Sequence, residues 1–286
     1  MVDVTVAVFV HNALDYLRTT IHSLEKNTNY PYRLLLIDDA SDEMTKAYLK
    51  SLDKGTLITN HHQMGFPHNA NLTIDYADTP YLVLLNSDVY VTQGWLKLLV
   101  DCLKSHPSHG CAGPSTSCAW SEQCIVQRPN WKYEQIETFG AQTFRKYGNK
   151  TQYLNRLHNV CGFCYAFKRE LVERIGYFDE AYGLGQCEEI DYNTRAAMTG
   201  YKCVWVCGAY VHHYGGRSFP TAKALELLAK NKMIYQEKFC GLHQCTSYVN
   251  YCSHCLAEDC EHFSKPEDLK QAYRQPYDHD ITRNRS

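Results

Sequence analysis

The strongest constraint on this chain is an alternation between apolar strand-like runs and segments of helical spacing, sustained over about the first hundred residues. Val4 to Val10 is an almost unbroken apolar run rich in β-branched residues, as expected for a strand buried on both faces. Leu14, Leu17, Ile21 and Leu24 then fall on one helical face. Arg33 to Ile37 reads as a second strand and runs into Asp38-Asp39-Ala40-Ser41-Asp42. Residues 43–52 have helical character, Thr56 to Thr59 is a short strand, and residues 67–77 are helical again. Tyr81 to Leu85 is a fourth strand, ending at Asn86-Ser87-Asp88. This βαβαβαβ order predicts an α/β fold with a mostly parallel central sheet flanked by helices. Ligands bind such sheets beyond the carboxyl ends of the strands, where both acidic clusters fall.

The pattern loosens over residues 111–158, which hold Pro114, Pro129, Gly140 and polar aromatics with little periodicity. Val160 to Phe167 reads as a strand, and helices are predicted over 168–175 and about 188–199. Val204 to Val206 is a short strand and residues 220–239 a helix, followed by a tail rich in Cys, His and Tyr. At 286 residues and 44% hydrophobic, the chain has material for one large domain with an appendage. The predicted division is residues 1–218 as the main domain and 219–286 as a helix plus Cys/His-rich tail. A net charge of -2 gives no broad attraction to nucleic acid or to an anionic membrane. The first residues carry Asp3 and no basic leader, and no apolar run approaches the roughly 20 residues that span a bilayer. The expectation is a soluble cytoplasmic protein.

Four groups carry chemistry. Asp88 follows an apolar strand, where a carboxylate can hold a divalent cation whose other positions are filled by water and phosphates. Asn86-Ser87-Asp88 fits a turn and helix cap equally well. Asp38, as an acceptor-only carboxylate, can read the N–H of a pyrimidine base or cap the next helix. Glu188, Glu189 and Asp191 begin a predicted helix, where they favour the helix dipole and can also supply a general base. His213 follows a strand and suits a transition-type cation, and Arg217 suits a diphosphate.

The order of these pieces resembles the family 2 glycosyltransferases of GT-A fold, including bacterial rhamnosyltransferase-like proteins. Leu36-Ile37-Asp38-Asp39-Ala40-Ser41 resembles the family's "VDDGS" segment, whose first acid contacts the base. Asn60, Gly65-Phe66-Pro67 and Asn71 resemble its "GF" stretch, and Leu85-Asn86-Ser87-Asp88 resembles "LNPD", its version of the DXD metal motif. Asn159 to Phe167 resembles the acceptor-side strand, and Gly176-Tyr177-Phe178-Asp179-Glu180 resembles "GGFDE". Glu188-Glu189-Ile190-Asp191 with Arg195 and Gly200-Tyr201 resembles the "EDVDLCLRLRRAGY" helix, and His213 to Ser218 the closing "HxxGxS". The resemblance spans residues 4–218. It implies transfer of a sugar from a nucleoside diphosphate, UDP or dTDP by family habit, to a hydroxyl of a glycan, small-molecule or macromolecular acceptor, with inversion. It implies donor contacts from Val10, Asn12, Asp38, Asn71, Asn86, Ser87 and Arg217. Mn2+ or Mg2+ would sit on Asp88 and His213, and the base would be Glu189, or else Asp191 or Glu188. The sequence departs from the pattern at Asn86, which replaces the first acid of DXD, at Glu189, which replaces the Asp of "ED", and at His11, where the family has Tyr.

The tail lies outside the resemblance. Cys252 and Cys255 form a CxxC pair of the kind found in structural zinc sites, with Cys240 or Cys245 upstream and Cys260 or His262 downstream as further candidate ligands. Two rival readings follow from these features. One is an inactive GT-A domain acting as a binding module, suggested by Asn86. The other is a nucleic-acid base glycosyltransferase using the tail on DNA, which the near-neutral charge disfavours.

Overall fold

The computed structural model describes residues 2–127, 129–154, 160–216, 221–239, 263 and 265–283. The expected alternation opens the chain as β1 (Val4–Val10), α1 (Leu14–Asn27), β2 (Arg33–Asp39), α2 (Glu43–Ser51), β3 (Thr56–Asn60), α3 (Phe66–Tyr76) and β4 (Tyr81–Asn86). There follow β5 (Val89–Val91), α4 (Trp95–Ser105), β6 (His109–Ser115), α5 (Tyr133–Tyr147), β7 (Thr151–Leu154) and β8 (Cys164–Lys168). Then come α6 (Glu170–Ile175), a 3-10 turn at Glu180–Tyr182, α7 (Glu188–Met198), β9 (Lys202–His213), α8 (Thr221–Phe239) and β10 (His279–Arg283).

The sheet runs β10-β3-β2-β1-β4-β8-β6-β9-β5, with β7 also paired to β9. Its first part is parallel, as expected: β1 pairs with β2 and β4, and β2 with β3. The whole is mixed rather than mostly parallel, because β8 is antiparallel to both β4 and β6, and β10, β5 and β7 also pair antiparallel. A run such as Cys164–Lys168 is buried throughout and carries no mark of direction. Direction is set by how the chain returns to the sheet, which residue pattern does not encode.

Strand β1 shows why a near-continuous apolar run is needed here. Val4, Val6, Val8 and Val10 join Leu17, Ile21, Leu24, Leu96 and Leu99 on one face. Ala7 and Phe9 join Leu35, Ile37, Leu72, Leu84, Phe167 and Tyr192 on the other. Helix α5 falls in the stretch that looked irregular. Its buried residues are Ile136, Gly140 and Thr143, at helical spacing but only one of them strongly apolar. Gly140 is small because Thr92 lies against it, and a Cβ there would come within 2.7 Å of the Thr92 side chain. Strand β9 continues well past Val206, through Gly208, where a Cβ would come within 1.9 Å of the Gly148 carbonyl oxygen. The strand-like run from Val160 condenses to Cys164–Lys168, and the residues before it form a turn at the sheet's end.

The described residues after 218 pack back onto the main domain. Tyr235 and Phe239 of α8 cluster with Tyr182, Cys187 and Ile190, and β10 extends the sheet along β3, with Ile281 opposite Ile58. Cys240, Cys245, Cys252, Cys255, Cys260 and His262 lie outside the described residues, as do Arg217 and Ser218. Among the described residues, no helix is long and apolar enough to cross a membrane.

Candidate active site

The carboxyl ends of the parallel strands gather the predicted groups. Val10 and Asp38 are register partners at the ends of β1 and β2, and Asn86 ends β4 opposite Phe9. Because β8 runs the opposite way, the turn before it arrives at the same edge, and the Asn86 N–H donates to the Phe163 carbonyl at 2.9 Å. Strand β9 delivers His213 there, opposite Val89.

Around Asp38 the loops after β1 and β2 are tied into one unit. The Ser41 N–H donates to Asp38 Oδ1 at 2.9 Å, the Asn12 N–H donates to Ser41 Oγ at 3.0 Å, and the Asp42 N–H donates to Asn12 Oδ1 at 2.7 Å. Asn12, Ala13 and Ala40 take left-handed conformations, with φ of 57°, 53° and 56°. Such strain in non-glycine residues persists only where the surroundings enforce it. Burial pushes the Asp38 carboxyl up, against the lowering effect of the Ser41 donors. Asp39 does different work. It accepts from the Met64 and Gly65 N–H groups at 2.8 and 2.9 Å and from Asn60 Nδ2 at 2.9 Å, so it fixes the loop entering α3.

Asn71 is a scaffold joint. Its amide donates to the Phe178 carbonyl (2.9 Å) and to Glu180 Oε1 (2.7 Å) and accepts from the Phe178 N–H (2.9 Å). Glu180 also holds His68 Nδ1 at 2.9 Å and the Gln275 N–H at 2.8 Å, which joins α3, the 3-10 turn and the C-terminal segment. Ser87 is buried, and its carbonyl accepts from Thr20 Oγ1 at 2.8 Å.

Asp88 and His213 face each other. His213 Nε2 lies 3.3 Å from Asp88 Oδ1, and this buried nitrogen has no partner in hydrogen-bond geometry. The ring is oriented by the Cys118 carbonyl on Nδ1 at 2.9 Å and by a Phe163 ring stacked at 5.0 Å and 13°. Ser117 Oγ accepts from the His213 N–H at 3.1 Å and donates to its carbonyl at 3.0 Å. Burial disfavours an imidazolium here, but the Asp88 carboxylate beside it overrides that and pushes the ring up to about 10. Ligands at right angles on a cation at roughly 2.0–2.2 Å sit about 3 Å apart, so this nitrogen and oxygen fit two positions of one divalent ion. Among the described residues, no three His, Cys, Asp or Glu side chains converge as a metal cluster. An ion held by two protein ligands draws its remaining oxygens from phosphate and water.

The acidic helix start divides into two roles. Asp191 is fully buried and pairs with Arg195 Nε at 2.5 Å, Lys238 Nζ at 2.7 Å and the Tyr182 hydroxyl at 3.0 Å. Burial would raise its carboxyl, but Arg195 and Lys238 hold it below the usual carboxylate value. Among the described residues, no cation pairs with Glu188 or Glu189 in this way. Each is at least nine-tenths buried, and the Oε2 of each lacks a hydrogen-bond partner. Burial pushes both carboxyls up, Glu189 to about 7 against a lowering effect of the Trp120 side chain and the Gly162 backbone. The loop before them carries two left-handed non-glycine residues, Gln186 and Cys187, with φ of 79° and 72°. Asn231 of α8 clamps that loop, with its amide nitrogen 2.6–3.0 Å from the carbonyls of Tyr182, Gly185 and Gln186.

Sequence reasoning missed the loop after β6, where Ser117 and Cys118 orient His213 and Trp120 reaches Glu189. Its only signal was an unexplained tryptophan in a polar stretch. It also missed Glu180 and Asn231, whose roles are purely tertiary.

Residues 5–176, more than half of the chain, match the sequence profile of glycosyl transferase family 2. The chain belongs to this family. Two curated relatives share about a fifth of their aligned residues with the family 2 chain. An uncharacterized glycosyltransferase of Haemophilus influenzae is 22% identical over 133 residues, 45% of this chain and 41% of its own. A putative polypeptide N-acetylgalactosaminyltransferase 9 of Drosophila melanogaster is 21% identical over 277 residues, 88% of this chain and 41% of its own. The family 2 chain thus spans about two fifths of the length of these relatives. Its fold is that of GT-A enzymes. GalNAc-T7, crystallised with UDP, GalNAc and Mn2+, superposes with a TM-score of 0.62 at 17% identity over 87% of this chain and 52% of that one. The mannosyltransferase of Pyrobaculum calidifontis, in complex with GDP-Man and Mn2+, superposes with a TM-score of 0.56 at 19% identity over 80% and 61%. Neither pairing carries the rhamnosyl resemblance.

Proposed function

We propose that this family 2 domain transfers a hexosyl group from a nucleoside diphosphate sugar to an acceptor hydroxyl with inversion. The observation that carries the reading is the facing of His213 Nε2 and Asp88 Oδ1 at 3.3 Å, at the sheet edge that also holds Asp38. Asp38 reads the base of the donor, UDP or dTDP by the family's habit, within the loop unit made by Val10, Asn12 and Ser41. Asn86 and Ser87 lie along the donor, while Asn71 keeps the floor in place. Asp88 and His213 would hold a Mn2+ or Mg2+ ion, which would supply positive charge to the departing diphosphate. Glu189 takes the acceptor proton. Its carboxyl is buried, has a spare oxygen, and is poised near neutral pH, as a general base requires. Burial, and Glu189 beside it, raise the proton affinity of Glu188 in turn, and Asp191 fixes the helix that carries both.

A donor screen tests this reading. Thermal melting is measured with UDP-, dTDP- and GDP-sugars, with and without Mn2+, followed by assay of nucleotide release. A bound donor stabilises the fold by mass action. Metal-dependent stabilisation and slow donor hydrolysis are the expected results. Donor binding with no turnover under any condition would instead favour the inactive binding module.

A further inference from the structure

From the three loop carbonyls gathered on Asn231 we infer that Asn231 is a positioning residue for the transfer reaction, holding the left-handed turn that aims Glu189. The inference rests on the reading of Glu189 as the base. Asn231 is buried on α8, and its Nδ2 lies 2.7, 2.6 and 3.0 Å from the carbonyls of Tyr182, Gly185 and Gln186. An amide nitrogen carries two protons, so three acceptors share two donors. Buried carbonyls need such partners, and leaving them unpaired is costly. One side chain therefore serves three carbonyls on the approach to α7.

The turn does not hold its shape unaided. Gln186 and Cys187 take φ of 79° and 72° without being glycine, and such a conformation persists only where the surroundings enforce it. Cys187 is also the N-cap of α7. An extended residue with a side-chain acceptor is the usual start of a helix, but Cys187 is left-handed and makes no side-chain capping bond. Helix α7 thus takes its start from the turn, and Glu188 and Glu189 are its first two residues. The Glu188 carboxylate lies beside Gly185, where a Cβ would come 3.5 Å from Oε1. A slip at Gly185 and Gln186 therefore moves both carboxyls.

The rest of α8 grips a different part of α7. Tyr235 and Lys238 lie on the same helical face as Asn231. The Tyr235 hydroxyl meets Thr194 Oγ1 at 3.0 Å, and Lys238 Nζ meets Asp191 Oδ2 at 2.7 Å and Asp179 Oδ2 at 2.9 Å. Tyr235 and Lys238 hold the body of the helix, whereas Asn231 holds the turn before it. On its other side the turn is bounded by the start of α3. The Phe66 N–H donates to the Leu184 carbonyl at 3.4 Å, and a Cβ at Gly65 would come within 2.4 Å of Leu184 Cα. The turn is thus clamped between α3 and α8, with the Asn231 amide as the polar jaw.

The test uses the whole chain and the UDP- or dTDP-sugar with the larger melting shift, with nucleotide release in water as the readout. Asn231→Ala should lower kcat by about tenfold or more, since a small misplacement of a reacting group is expensive in rate. Donor KM and the Mn2+-dependent melting shift should stay close to those of the parent. The acid limb of the kcat profile should fall toward the ordinary carboxylate range, because a loosened turn admits water to the acids. Tyr235→Phe removes the Thr194 contact from the same helix and should leave kcat and the limb in place, which separates positioning from general loosening of α8. Asn231→Ser keeps one donor, should fall between parent and Asn231→Ala, and carries the test if the alanine variant does not fold. Glycine adopts left-handed backbone freely, so adding Gln186→Gly to either Asn231 variant should restore part of the lost kcat. An unchanged kcat, an acid limb that stays in place, or no gain from Gln186→Gly overturns the inference and leaves the base reading standing. Turnover that persists in Glu189→Gln removes the base reading and this inference with it.

Discussion

Asp191 and Arg195 sit one turn apart on α7 and form an ion pair fully excluded from water, with Nε 2.5 Å from Oδ1. Arg195 also donates to the carbonyls of Ile175 and Tyr177, and Lys238 of α8 closes on the other Asp191 oxygen. The acid is thus surrounded by fixed cations, which are not found among the described residues around Glu188 and Glu189, three and two residues earlier.

This contrast separates stability from chemistry. Asp191→Asn should cost about 3–5 kcal/mol, because it leaves buried cations uncompensated. Chemical denaturation should show that loss. Glu189→Gln should fold, bind donor as before, and lose about 10²–10⁴-fold in acceptor turnover. Persistent turnover in Glu189→Gln would move the base to Glu188.

The pH behaviour of Glu189 follows from its environment. Its carboxyl rises from 4.5 in the open chain to about 7 when folded, so the native state holds a proton more tightly. The associated stability is present below about pH 4.5 and is lost as pH climbs through about 7. Turnover should move the opposite way, rising through about pH 7 as the base deprotonates. Glu189→Gln should therefore melt higher than the parent at pH 8, with the gain vanishing at pH 4. A parent whose kcat profile shows no acid limb near neutrality would remove Glu189 from the base role.

Asp88→Ala should abolish transfer without unfolding the chain, since the residue lies just beyond a strand end. His213→Ala should weaken Mn2+ binding, read by titration calorimetry in the presence of the nucleoside diphosphate. Full activity in excess chelator would contradict both expectations.

Adjacent aspartates should respond oppositely. Asp38→Ala should weaken donor affinity more than it slows the bound complex, as lost uniform binding does. Asp39→Ala strands the Met64 and Gly65 N–H groups and should cost about 1–3 kcal/mol for each one left without a partner. Equal donor affinity in Asp38→Ala and the parent would reduce Asp38 to a turn former.

Much of the fold was legible because β1 to β4 obey local rules. Strands buried on both faces must be continuously apolar, and the helices between them need only one apolar stripe, so period alone separates them. The strand-end acids were legible for the same reason, since position follows once the strands are known. Helix α5 was not legible, because its buried face is Ile136, Gly140 and Thr143, sized to fit Thr92 and not to exclude water.

The sequence by itself determined the α/β alternation, the placing of Asp38 and Asp88 at strand ends, and the start of the acidic helix. Only the tertiary structure decided that the sheet is mixed, since strand direction depends on the return path of the chain. It also decided what surrounds each acid. Glu189 and Asp191 have the same formal charge and lie on one helix, yet one meets Trp120 and a backbone N–H and the other meets Arg195 and Lys238. Proton affinity depends on the charges and water that surround a carboxyl, and those come from residues distant in sequence.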